Sequence, residues 1–144
     1  MRTIKFRGKT PEGKWVYGDL IKDVKLHGGD TAILPTNDFL DYEIVIPETV
    51  GQFTGLPDKN GKEYYEGDIA EMEASVEYDE GSFIITYIGE VTIIPSMGVC
   101  LKNVKQYSNR RIAEKYVGYK KLVSYRSEKI GNIYDNPELL NETK

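Results

Sequence analysis

Glycine, asparagine, aspartate and proline interrupt this chain so often that no apolar pattern lasts long enough for an extended amphipathic helix. The densest case is residues 52–70, where Asp58-Lys59-Asn60-Gly61 and Glu66-Gly67-Asp68 stand between short apolar segments. Asn60-Gly61 supplies the positive φ values of a tight hairpin turn, because glycine has no Cβ to clash there. Between such corners the residues alternate. Ile4 and Phe6 alternate with Thr3, Lys5 and Arg7, and Ala70, Met72, Ala74 and Val76 alternate with Glu71, Glu73 and Ser75. A period of two turns one set inward and the other toward water. Thr10-Pro11-Glu12-Gly13 folds the first strand back onto Trp15-Val16-Tyr17, so residues 3–20 read as a hairpin. Further short strands are expected near 31–34, 43–46, 69–76, 82–88, 91–94, 99–101, 122–125 and 129–134. A helix is expected over 108–117, capped by Ser108 or Asn109, and a terminal helical turn where Asn136 caps and Pro137 takes the first position. Strands at this spacing predict a mainly β fold built on a small antiparallel barrel, with an N-terminal hairpin extension and short helical turns.

The 144 residues suit a single domain, 1–144, in which 1–48 form the N-terminal hairpin and extension and 49–144 the small barrel with its C-terminal cap. A chain of this size buries enough surface to need no disulfide or metal staple. Cys100 is the one cysteine, which excludes an intramolecular disulfide and fits a reducing compartment. Met1 to Arg7 carry no signal-peptide apolar run, and no stretch approaches the ~20 apolar residues of a membrane span. The expectation is a soluble, cytoplasmic protein with no membrane partner.

The formal charge of −4 conceals an uneven layout. Residues 1–27 carry +4, residues 28–101 carry −13 and residues 102–144 carry +5. At physiological salt the Debye length is about 8 Å, so a basic patch farther than that from the acidic middle would act locally.

Most catalytic arrangements are excluded by residue type. One histidine and one cysteine cannot build a Cys/His zinc site. A thiol nucleophile is limited to Cys100 with His27, and Cys100 sits in an apolar strand pattern, where a thiol behaves as a small hydrophobe. Glu63, Glu66, Asp68, Glu71, Glu73 and Glu77 offer oxygens for a divalent ion, as a metal-dependent phosphodiesterase requires. Residues 63–101, however, hold no lysine, arginine or histidine to assist. The expectation is no catalytic site, no cofactor and no metal.

The basic segment is the strongest lead to a partner. Lys102, Lys105, Arg110, Arg111, Lys115, Lys120, Lys121, Arg126 and Lys129 interleave with Tyr107, Tyr116, Tyr119 and Tyr125. Cations meet phosphate and aromatic rings stack on bases, so this composition suits single-stranded nucleic acid. A tyrosine-rich surface equally suits protein recognition, because it supplies contact area at low entropic cost.

Two stretches carry a family resemblance. Phe53-Thr54-Gly55-Leu56-Pro57-Asp58-Lys59-Asn60-Gly61-Lys62-Glu63-Tyr64-Tyr65-Glu66-Gly67-Asp68-Ile69 resembles the signature of the YopX family of phage and prophage proteins. Ile4-Lys5-Phe6-Arg7-Gly8-Lys9 and Ile130-Gly131-Asn132-Ile133-Tyr134-Asp135-Asn136-Pro137-Glu138-Leu139-Leu140 are similar to its two ends. Residues 71–80 and 102–129 lack such a match. The resemblance implies a mostly β fold with an SH3-like small barrel, encoded by a bacteriophage or a prophage-bearing bacterium. The family has no established activity, so it hands over no site residues. The resulting expectation is a non-catalytic accessory protein that binds a protein partner or a second copy of itself, with single-stranded nucleic acid on segment 102–129 as the alternative.

Overall fold

The computed structural model describes residues 5–24, 30–35, 42–79, 81–108 and 115–141. They are mostly β, with every described strand pairing antiparallel. The chain divides into two compact units, Met1–Gly55 and Leu56–Lys144.

The first unit holds β1 (Phe6–Lys9), β2 (Trp15–Val24), β3 (Asp30–Leu34), β4 (Glu43–Ile44) and β5 (Ile46–Pro57, which runs on past the unit's end). They hydrogen-bond in the order β4-β3-β2-β1-β5. The turn at Thr10 is built as its sequence requires. The Gly13 amide donates to the Thr10 carbonyl at 2.8 Å, the Lys14 amide donates to Thr10 Oγ1 at 3.0 Å, and Gly13 takes φ +93°. Val16, Ile33 and Val45 form the core, with Phe6, Leu20 and Val50 packed against it. β1 must pass close over that core, and Gly8 permits it: a Cβ there would lie 2.8 Å from Val45 Cγ2.

The second unit holds β6 (Glu63–Tyr65), β7 (Asp68–Tyr78), β8 (Gly81–Ile94), β9 (Gly98–Ser108), β10 (Lys115–Lys121), a 3-10 turn at Ser124–Arg126, β11 (Ser127–Asn132) and α1 (Glu138–Asn141). Five of these strands form a sheet in the order β10-β9-β8-β7-β11. Its core face carries Ala70, Met72, Tyr87, Val91, Leu101 and Val104, closed over by Tyr64 and Leu122. Burial pushes the Tyr64 phenol up to about 12; a hydrogen bond to Ser127 Oγ pulls the other way, and the charges of Asp58, Asp68 and Glu128 add to the rise.

The mainly β fold is as expected, but the small barrel does not close: its sheet is open and curled. β10 and β11 lie at its opposite ends, and no ladder joins them among the described residues. The chain instead crosses the core face: the Leu122 amide donates to the Val99 carbonyl at 3.3 Å and the Val123 amide lies 3.3 Å from Met72 Sδ. Six peptide steps from Lys121 to Ser127 reach at most about 20 Å, and a 3-10 turn shortens them. Four strand spacings laid flat cover about 19 Å. So short a link therefore demands that the sheet curl.

Other expectations also shift. Residues 115–117, expected as helix, begin strand β10, while 109–114 lie outside the described residues. Residues 122–125, expected as a strand, are the crossing link. Asn136 turns back toward β11, its Oδ1 accepting from the Asn132 amide at 3.2 Å.

Two loops of the 52–70 stretch hold this unit together. Asp58, 4% exposed, accepts from the amides of Asn60 at 2.8 Å, Lys62 at 2.9 Å and Lys129 at 2.9 Å. The Lys59 amide donates to the Ser127 carbonyl at 2.9 Å, so the loop runs along β11. Gly67, at φ +93°, donates to the Val91 carbonyl at 3.0 Å and accepts from the Ile133 amide at 2.9 Å.

Two outcomes follow from these contacts. A Cβ on Gly89, in mid-β8, would stand 2.9 Å from Leu101 Cβ and 3.0 Å from Val104 Cγ2. Gly89→Ala should therefore cost about 1–3 kcal/mol in urea unfolding, since a packed core overfills at that price; a neutral result contradicts the packing. Burial raises the Asp58 pKa, but the amides of Lys129, Lys62 and Asn60 and the Lys62 charge outweigh it and hold it below the usual 3.8. A lowered carboxylate pKa stabilises the fold above the unfolded value of about 3.9, and that stability is lost as pH falls through the folded value. Asp58→Asn should flatten the acid limb of stability against pH below about pH 4; an unchanged limb contradicts this assignment.

Candidate interaction surface

The thirteen residues of the basic, tyrosine-rich segment do not share one face. Lys102, Lys105 and Tyr107 alternate along β9 on the face opposite the core. Register adds Tyr119 opposite Lys102, Lys121 opposite Cys100, and the Tyr116 position opposite Lys105. Lys120 falls on the core face, its ammonium 4.4 Å from the centroid of the Tyr87 ring, and the Lys115 position falls on that side as well. Tyr125, 72% exposed, and Arg126 belong to the 3-10 turn, where the guanidinium lies 5.7 Å from the Tyr125 ring. Arg110 and Arg111 lie outside the described residues.

Lys129 has a structural task. Its amide is held by Asp58, while its ammonium sits 3.3 Å from Asp68 Oδ2 and donates to the Glu63 carbonyl at 3.2 Å. Asp68 is fully buried and also accepts from the Tyr65 amide at 2.7 Å.

Opposite charges occupy separate lanes on the sheet's outer face, with β8 between them. Glu71, Glu73 and Glu77 alternate along β7; Ile84, Thr86 and Ile88 face the same way on β8; Lys102 and Lys105 follow on β9. Glu90 ends the β8 lane 3.6 Å from Lys102. Burial pushes the Glu90 carboxyl up from its usual value of 4.5, the Lys102 charge and hydrogen bond pull it part of the way back, and Glu66 adds to the rise. A phosphate approaching Lys102 would have to displace this carboxylate. Ile69 and Cys100, fully buried, mark where this face is closed, and α1 packs against β8.

The edge of the sheet is equally uneven. β11 covers β7 only from Asp68 to Met72, so from Glu73 to Tyr78 β7 pairs with β8 alone among the described residues. A cavity of about 360 Å³ opens there, lined by Glu73, Ala74, Ser75, Ile84 and Arg126. Among the described residues no group of three or more His, Cys, Asp or Glu side chains is placed to hold a metal ion. The Cys100 thiol is buried, and His27 lies outside the described residues.

A further cluster escaped the sequence reading. In the first unit the Arg7 guanidinium, 2% exposed, lies 4.6 Å from the Trp15 ring, with Lys9 5.9 Å from the same ring and Lys5 4.9 Å from that of Phe53. The signal was available: Lys5, Arg7 and Lys9 alternate on one arm of the expected hairpin, and Trp15 and Tyr17 on the other. Register sets Lys9 opposite Trp15 and Arg7 opposite Tyr17, so cations and rings fall on one face.

Lys129→Met keeps the amide bond to Asp58 and strips the ammonium from a buried carboxylate. The cost should be about 2–4 kcal/mol by chemical denaturation, below the largest losses for buried pairs. The discount arises because the lysine side chain is 23% exposed. Unchanged stability contradicts the structural role.

Comparison with known proteins gives a family and a similar solved structure. No curated protein matches the chain. The crystal structure of protein EF1440 from Enterococcus faecalis is similar to it, 24% identical over 97% of this chain and 99% of that one, with a TM-score of 0.46. The YopX protein family matches residues 5–141, nearly the whole length, with the clasp loops and the outer strands all inside the match; the chain belongs to the YopX family.

Proposed function

We propose that this protein is a non-catalytic protein-binding module that accepts an extended segment of a partner as an added strand along β7. The observation that carries the reading is the lane from Glu73 to Tyr78, where β7 has β8 on one side and no described strand on the other. A strand edge offers amides and carbonyls at alternate residues, and an incoming peptide gains affinity by pairing with them.

Side chains along this lane define the guest. Glu73 and Glu77 are exposed on one face, and half-buried Ala74 stands on the other. The favoured guest therefore alternates cations with small apolar residues. Two copies of this chain pair poorly here, because an antiparallel match centred on Ser75 sets Glu73 against Glu77 of the other copy. Single-stranded nucleic acid is the poorer fit for the protein, because the segment's cations divide between two faces and a turn, and Glu90 engages Lys102. The setting we assign, a phage or prophage accessory protein acting in a bacterial cytoplasm, rests on the family resemblance. An SH3-like relation for the second unit draws its support from the small curled sheet.

A fluorescently labelled peptide alternating lysine and valine should bind saturably at low salt. Amide exchange at residues 73–78 should slow when it does. Reversing Glu73→Lys together with Glu77→Lys should abolish that binding and confer binding of a peptide alternating glutamate and valine. Failure of the lysine peptide to bind, or indifference to the reversal, contradicts the reading.

A further inference from the structure

The open lane of β7 has a blocked end and a cation beside it. Ser127, the first residue of β11, pairs with Met72, so the lane that has only β8 for a described neighbour starts at Glu73. Carried one residue upstream in the same register, β11 would set Arg126 opposite Glu73. The chain leaves the lane instead, in the 3-10 turn Ser124–Arg126. Arg126 nonetheless stays next to it, lining the cavity of about 360 Å³ together with Glu73, Ala74, Ser75 and Ile84. The residue is exposed. Its contact with the Tyr125 ring, at 5.7 Å, supplies no acceptor oxygen, and among the described residues Arg126 joins no ion pair.

We infer that the segment docking on β7 is the C-terminal end of a partner protein, running antiparallel to β7, and that Arg126 holds its terminal carboxylate. β11 itself runs antiparallel to β7. A guest of the same sense travels from the Tyr78 position toward Glu73, in line with β11, and meets Ser127 head-on. A continuing chain would have to bend out of the lane at that point, whereas a chain that ends there fits. The guanidinium fork matches a carboxylate with two parallel hydrogen bonds, the geometry for which arginine is suited. A guest parallel to β7 would bring its N-terminal ammonium to the same place, cation against cation. Glu73 lines the cavity too and would repel a bare carboxylate, so the last guest residue is best a lysine whose side chain faces Glu73 while its carboxylate faces Arg126. Ligand pockets span about 300–1,000 Å³, and a cavity at the small end of that range suits the end of a chain.

The inference rests on the strand-docking reading and narrows it, from any extended segment to one with a free carboxylate and a fixed direction.

The test compares two peptides that alternate lysine and valine, end in lysine and carry a fluorescent label at the N-terminus. One ends in a free carboxylate, the other in an amide. The amide form carries one more net positive charge, so attraction to the glutamates of the lane would by itself favour it. Capture by Arg126 predicts the reverse, with the free acid binding about tenfold or more tighter in a fluorescence titration. Arg126→Gln should erase that preference while binding the amide no more weakly than wild type, which also shows that the variant folds. Arg126→Lys should keep part of the preference, because it restores the charge without the fork. Equal affinity for the two peptides, or tighter binding of the amide, overturns the inference and leaves the strand-docking reading standing. A preference for the acid that survives Arg126→Gln overturns it as well. Binding of neither peptide contradicts the strand-docking reading itself, and the inference falls with it.

Discussion

A single buried carboxylate ties the second unit together. Asp58 receives amides from its own turn and from Lys129, 71 residues farther along the chain. Taking such a charge out of water is costly, and only several well-aimed donors offset the loss. Charge-assisted hydrogen bonds contribute about 1.5–3 kcal/mol each, enough for three of them to hold the group ionised and the long-range contact closed. Asp68 then takes the ammonium of the same Lys129. The lysine is gripped at backbone and side chain by two aspartates from one short stretch.

That clasp decides which surfaces remain available. Its loop runs along the outer side of β11 and occupies an edge that would otherwise be open. Ser124 to Arg126 lead the chain across the core to the start of β11, and beyond Met72 β7 pairs with β8 alone among the described residues. Asp58, Gly67, Asp68 and Lys129 thus join the 52–70 stretch to β11 and to the turn that follows it.

What could be read from the sequence was whatever the local chain decides. The turns at Thr10-Pro11-Glu12-Gly13 and Asn60-Gly61, and the alternation from Ala70 to Met72, are set by residues within hydrogen-bonding reach of one another. The family signature was legible for the same reason, since it is mostly turn and clasp chemistry. Long-range features were not. Strand β9 was expected only over 99–101, because Lys102 and Lys105 break the apolar pattern and Asn103, at φ +54°, inserts a bulge. Strand β10 resembled helix, because its apolar spacing suited either period and Gly118, at φ +90°, offsets the register. Barrel closure and the division of the basic residues between faces depend on where the link after Lys121 travels. No neighbouring residue encodes that route; it follows from Leu122 having a place in the core.

The most direct measure of the clasp is native-state amide exchange in an Asp58→Ala variant. The account predicts that protection falls together at Asn60, Lys62 and along β11 from Ser127 to Asn132, because one carboxylate holds both segments. Loss confined to the 58–62 loop, with β11 as protected as before, would show that the strand is secured by its pairing with β7 alone and would contradict the account.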